Sequence, residues 1–149
     1  MKIRKILLTT DLSEEAERAF GPVAELALGT GALVTLLYVV PDLHVAPHGA
    51  PLAPPVSAPE VDDLVKEALG QIEAQRLNLP EELPVECDVA RGEDPARAIA
   101  VYAHKHGHDL IALSSHGRTG FRRLILGSIA EAVMRHSDVP VLVFPKAKD

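Results

Sequence analysis

At 149 residues, 47% of them apolar and 24% charged, the chain excludes a disordered or fibrous polypeptide and predicts a single packed domain over residues 1–149. A formal net charge of −6, with three Phe, two Tyr and no Trp, argues against a nucleic-acid binder, which needs basic patches and stacking aromatics. Cys87 is the lone cysteine, so no intrachain disulfide or multi-cysteine zinc site can form, and a reducing, cytoplasmic setting is expected.

The opening MKIRKILLTTD is basic like a signal peptide, but its apolar run over 6–8 is too short, and no segment approaches the roughly 20 apolar residues that cross a bilayer. KILLTT (5–10) predicts a strand. A helical pattern follows, with Ala16, Ala19, Phe20, Val23, Ala24 and Ala27 recurring at spacings of three and four. Ser13 reads as its N-cap, with Glu14 and Glu15 behind it, and Gly29 as its end. ALVTLLYVV (32–40) is almost wholly apolar and β-branched, the mark of a strand covered on both faces of a parallel sheet.

Six of the twelve prolines fall within 41–59, where neither helical nor strand periodicity survives, so an irregular, exposed excursion is expected there. From Glu60, the apolar positions Val61, Leu64, Val65, Ala68, Leu69 and Ile72 predict a helix to about Leu77, and PVECDVAR (84–91) alternates like a strand. Asp94 caps the next helix, with Pro95 at its first position and an end near His106. DLIALS (109–114) is the fourth strand, 128–137 the fourth helix and PVLVFP (140–145) the fifth strand. The alternation predicts a doubly wound, five-stranded parallel α/β sheet with helices on both faces.

In such sheets ligands collect beyond the carboxyl ends of the strands where the winding reverses. The residues expected there are Asp11, Pro41 and the SSHGRTG segment. Ser128 opens a helix, and Glu131 three residues on suggests a capping box; the amides of Ser128 and Ile129 would face the loop and suit a phosphate. Gly117 and Gly127 would let backbone approach an anion. Gly127-Ser128 also reads as a plain turn and cap. The P-loop pattern GxxxxGK[ST] and the dinucleotide pattern GxGxxG are both absent from the sequence.

Ser114-x2-Gly117-x9-Gly127-Ser128 resembles the Gly-x2-Gly-x9-Gly-[Ser/Thr] signature of the ATP-binding universal stress proteins. SHGRTG, LxLGSxAExV, the closing PVLVF and the opening KILLTTDLSEEA extend the resemblance over essentially the whole chain. It implies strand order 3-2-1-4-5, an adenine nucleotide alpha hydrolase-like fold, ATP with Mg²⁺ as ligand, a cytoplasmic stress-linked role, and a homodimer through Val141–Phe144. Carried over by position, Thr9 and Asp11 would lie near the adenosine and Val39 would offer backbone to the adenine edge. Leu113 and Ser114 would line the middle, while Gly117, Gly127, Ser128 and Ile129 would cradle the phosphates. Arg118 would reach a terminal phosphate or stay solvated. Asp11 would alternatively stabilise the first helix.

Ser114 replaces the first glycine of the signature, and its Cβ would crowd the ligand or its hydroxyl bond to it, depending on φ. Arg122 and Arg123 read as surface residues, and His116 as a proton carrier or a loop hydrogen-bonder. His104, His106 and His108 stand two apart and do not share a helix face, weak evidence for zinc, and His44 and His48 add little. The expected function is a nucleotide-responsive regulatory module, not an enzyme beyond slow ATP hydrolysis. The alternative, supported by Ser114, is a dimeric interaction protein that does not bind nucleotide; a dedicated ATPase assisted by His116 or Asp11 is the third reading.

Overall fold

A computed structural model describes residues 1–41, 58–115 and 126–145. Five strands, β1 (Lys5–Thr9), β2 (Leu33–Pro41), β3 (Val85–Gly92), β4 (Leu110–Ser114) and β5 (Val141–Phe144), form one sheet of order β3-β2-β1-β4-β5. All four pairings are parallel. The helices are α1 (Phe20–Thr30), α2 (Ala58–Arg76), α3 (Pro95–Lys105) and α4 (Ser128–His136).

Alternation along β1 divides the core. Ile6 and Leu8 join Val34, Leu36 and Ala112 under α1 and α2, where Phe20, Val23, Ala27 and Ile72 pack. Leu7 points the other way, with Leu37, Val39, Ile111 and Leu113, beneath Ile99 and Ala103 of α3 and Ala130 and Val133 of α4. The chain thus winds outward from β1 to β3, returns beside β1 as β4 and winds on to β5. The reversal lies between β1 and β4, where parallel neighbours diverge into loops of opposite hand and leave a crevice.

The first helical segment departs from the sequence expectation at both ends. A 3₁₀ turn spans Glu15–Ala19, and the α-helix starts only at Phe20. Pro22 explains the break: it has no N–H to bond to Arg18, and its ring would strike that carbonyl, so it is tolerated only within the first turn of a new helix. Ser13 does accept from the Ala16 N–H at 3.3 Å, one residue outside the 3₁₀ turn's own cap, Glu14. Gly29 is helical; Gly31, with φ +72°, ends α1, because a left-handed residue is what turns the chain out of the helix. On α2 the buried stripe is Val61, Ala68, Ile72 and Gln75, while Leu64 is exposed.

Asp94 caps α3 as expected, its carboxylate accepting from Ala96 N–H at 3.1 Å and Arg97 N–H at 3.3 Å, with Pro95 next. Among the described residues no helix is long and apolar enough to cross a membrane.

Candidate nucleotide-binding crevice

A cavity of about 310 Å³ opens at the β1/β4 switch point, at the small end of the range for small-molecule pockets. Its floor is Thr9 at the end of β1 with Thr10 and Asp11 beyond it, Leu37, Val39 and Pro41 from β2, and Leu113 and Ser114 of β4 with Ser115 beyond it. One wall is Gly127, Ser128, Ile129 and Ala130 at the start of α4; Pro95 and Ile99 of α3 form another. The lining is mainly aliphatic, suited to a flat apolar ring, and Asp11 is its one carboxylate among the described residues.

The start of α4 is fixed from below. Gly127 N–H donates to the Ser115 carbonyl at 2.8 Å, and Ser115 N–H donates to the Phe144 carbonyl at 2.8 Å, so the helix is pinned to the ends of β4 and β5. Gly127, not Ser128, is the N-cap; it makes no side-chain cap bond, and its carbonyl accepts from Glu131 N–H at 3.0 Å. The expected capping box is therefore not formed. Ser128 is one residue too far into the helix for its hydroxyl to cap, and the Glu131 carboxylate turns outward to Arg135 at 2.7 Å. Among the described residues nothing accepts from the N–H groups of Ser128, Ile129 and Ala130. These first-turn donors carry the positive end of the helix dipole, and they stand at the cavity wall.

Gly127 has φ −57°, open to any residue, so conformational freedom does not require glycine there. Gly127 itself lines the cavity, where the lack of a side chain leaves its backbone open to close approach. Ser114 ends β4 in register with Phe144. Leu12 is the one non-glycine of positive φ among the described residues, so the Ser114 Cβ carries no penalty of backbone conformation.

Across the cavity, Asp11 accepts from Ser13 N–H at 3.0 Å and from the Ser13 hydroxyl. It thus stabilises the entry to the 3₁₀ turn while lining the crevice; the two readings of Asp11 are compatible. Leu12, with φ +69°, pays for this turn in backbone strain, a left-handed leucine costing about 1–2 kcal/mol. It donates its N–H to Thr10 Oγ1 at 3.0 Å and packs its side chain into the α1/α2 core.

Of the residues expected at the site, Thr9, Asp11, Val39, Leu113, Ser114, Gly127, Ser128 and Ile129 all line this one cavity. Gly117 and Arg118, with His116, Arg122 and Arg123, lie outside the described residues, as do His44 and His48. Pro41 and Ser115, expected beyond the strand ends, line the cavity as well, whereas sequence reasoning missed Thr10, Ala16, Leu37, Tyr38, Pro95, Ile99 and Ala130. Pro95 and Ile99 had a usable signal: α3 precedes β4 and so lies on the same face of the sheet as α4, which brings its capped start to the same crevice.

The three histidines at the end of α3 do not converge. His104 Nδ1 lies 2.9 Å from Asp138, His106 stacks on Tyr102 with ring centroids 3.9 Å apart, and His108 is buried against Thr35. Among the described residues no group of three His, Cys, Asp or Glu side chains is arranged to hold a metal.

The universal stress protein family model matches residues 2–145. Universal stress protein MJ0531 of Methanocaldococcus jannaschii is 33% identical over 147 residues, covering 97% of this chain and 84% of the relative. The solved structure of MJ0577, described as a structure-based assignment of biochemical function, superposes with a TM-score of 0.79 at 28% identity, both chains covered in full. Two more distant structures share the fold at 20% identity. One is a universal stress protein in complex with cAMP, TM-score 0.62, covering 99% of this chain and 100% of that one. The other is the Archaeoglobus fulgidus universal stress protein in complex with dAMP, TM-score 0.57, covering 96% and 98%.

Proposed function

The chain belongs to the universal stress protein family, and on that premise we propose that it is an ATP-binding regulatory module of the stress response. The observation that carries this is the set of first-turn amides of α4, from Ser128 to Ala130, at the wall of an aliphatic cavity with Asp11 opposite. Each part fits one part of the ligand. The aliphatic floor from Leu37, Val39 and Leu113 suits adenine, the Asp11 carboxylate suits ribose hydroxyls, and the α4 amides suit phosphate oxygens. The distant fold relatives solved with cAMP and dAMP are consistent with an adenine nucleotide in this fold.

Mg²⁺ would accompany the triphosphate as its counter-ion, with the phosphates supplying most of its ligands. The reading is of a binding role with at most slow hydrolysis. A ligand that prefers one arrangement of the crevice mouth shifts the protein toward it by its differential affinity alone, and that is the regulatory output proposed. The reading includes a cytoplasmic setting and a homodimer paired through β5, an edge strand with Leu142 exposed.

The test is to denature purified protein and identify released small molecules by mass spectrometry, then titrate nucleotide-free protein with ATP and Mg²⁺ calorimetrically. Bound adenine nucleotide, abolished by Gly127→Val in a protein of unchanged circular dichroism, is the expected result. No released nucleotide and no heat at millimolar ATP would overturn it in favour of the non-binding interaction protein.

A further inference from the structure

We infer that Gln75, a residue of α2 that does not line the cavity, is a positioning residue for the nucleotide site, holding the turn that presents Asp11; the inference rests on the ATP-binding reading above. Gln75 occupies a core position on α2, three residues after Ile72 in the buried stripe, and is 7% exposed. A buried glutamine in an apolar stripe is uncommon and persists where its hydrogen bonds are satisfied. Among the described residues its side-chain hydrogen bonds all run to one segment, more than 55 residues away in sequence.

Its Oε1 accepts from the Thr10 hydroxyl at 2.6 Å. Its Nε2 donates to the Ser13 carbonyl at 3.3 Å and to Glu17 Oε1 at 3.2 Å. The opposite amide orientation would set its oxygen against a carbonyl and a carboxylate, so the network fixes one. Thr10 Oγ1, whose proton is given to Gln75, in turn accepts from Leu12 N–H at 3.0 Å. The same Glu17 Oε1 also accepts from Asn78 Nδ2 at 2.9 Å.

Gln75 therefore grips the turn on both sides of the left-handed Leu12, at Thr10 and at Ser13, and Asp11 is the residue between Thr10 and Leu12. Ser13 is also the residue whose N–H and hydroxyl orient the Asp11 carboxylate. Cutting these bonds frees the turn to relax toward ordinary φ values, and Asp11 turns with it. Gln75 touches no ligand in this scheme; it acts through Asp11.

Two measurements test this. In the nucleotide-free protein, Gln75→Met, which keeps chain length and removes all three bonds, is expected to speed amide exchange in residues 11–17 by about tenfold while leaving α3 and α4 unchanged. In calorimetry, Gln75→Met is expected to weaken ATP by about tenfold, yet by less than about twofold when Asp11→Asn is already present, the signature of residues acting through one another. Gln75→Glu keeps the acceptor for Thr10 and loses the donors to Ser13 and Glu17; it gives a partial effect in both, and is the variant to read if Gln75→Met does not fold.

Unchanged exchange in 11–17, or ATP losses that simply multiply in the double variant, would overturn the inference. Wild-type protein that binds no ATP while Gln75→Met still loosens 11–17 would sink the ATP reading and the site role of Gln75 but leave the grip on the turn. Wild-type protein that binds ATP as tightly as a folded Gln75→Met would sink the inference alone.

Discussion

The imidazole Nε2 of His108 lies 3.0 Å from the hydroxyl of Thr35 in space closed to solvent, and among the described residues its Nδ1 makes no hydrogen bond. Burial, then the positive charge of Lys5, pushes the His108 pKa down to about 4 from an ordinary 6.5. The folded state therefore resists a proton that the unfolded chain takes up. Stability is fully present above pH 6.5, falls as pH drops toward 4 and levels off below it, a loss of about 2–3 kcal/mol. Urea melts between pH 7 and pH 4 check this: His108→Gln, which cannot titrate and can still meet Thr35, should flatten that part of the curve. An unchanged slope in His108→Gln would assign the acid sensitivity to other groups.

The end of α1 gives a paired prediction. Gly29 is helical and a Cβ there would meet nothing within 4 Å, so Gly29→Ala should raise stability by about 0.5–1 kcal/mol through helix propensity and a stiffer unfolded chain. Gly31 is equally open but sits at φ +72°, so Gly31→Ala should cost about 1 kcal/mol. Opposite shifts in the urea midpoint are expected. Equal effects would mean that the helix stops at Gly29.

That pair also shows what the sequence does and does not disclose. Both glycines stand where a helix of this length would end, and spacing alone does not say which takes a left-handed conformation. The strands were legible because β1, β2 and β4 are continuous apolar runs, and α3 because Asp94-Pro95 is an unambiguous start. The site was legible wherever a strand end or a glycine marked it, as at Asp11 and Gly127. It was not legible where the determining contact is distant in sequence. Glu131 fits a capping box or an i,i+4 pair with Arg135 equally well, and the bond from Gly127 to Ser115 decides in favour of the pair by fixing where the helix begins. Gln75 looks like a solvated helix residue until Thr10 and Ser13 are folded against it.

The proposed dimer makes a prediction at the β5 edge. Leu142 is 36% exposed beside half-buried Val141 and Val143, and an apolar strand left unpaired on one side is a liability that a second copy would remove. Sedimentation equilibrium should find dimer at micromolar concentration for the wild type and monomer for Leu142→Glu, with unchanged far-ultraviolet circular dichroism. Monomeric wild-type protein would remove the dimer from the functional reading without touching the crevice.

Ser114 supplies the sharpest test of how a departure from the family's glycine pattern is tolerated. If glycine is needed at this position for its backbone freedom, serine would be strained there, and Ser114→Gly would both stabilise the protein and tighten ATP markedly. The strand geometry argues otherwise: Ser114 pairs in register with Phe144, and its φ is not among the positive values. A glycine there then costs at most about 0.5–1 kcal/mol, the figure for a strand interior, since Ser114 is the last residue of β4. Ser114→Gly should therefore lower the urea midpoint slightly and change the ATP dissociation constant by less than about threefold, under 1 kcal/mol of binding free energy. A tenfold gain in affinity would show instead that the serine side chain obstructs the crevice, which would favour the reading in which the native protein leaves that crevice empty and works through its surfaces.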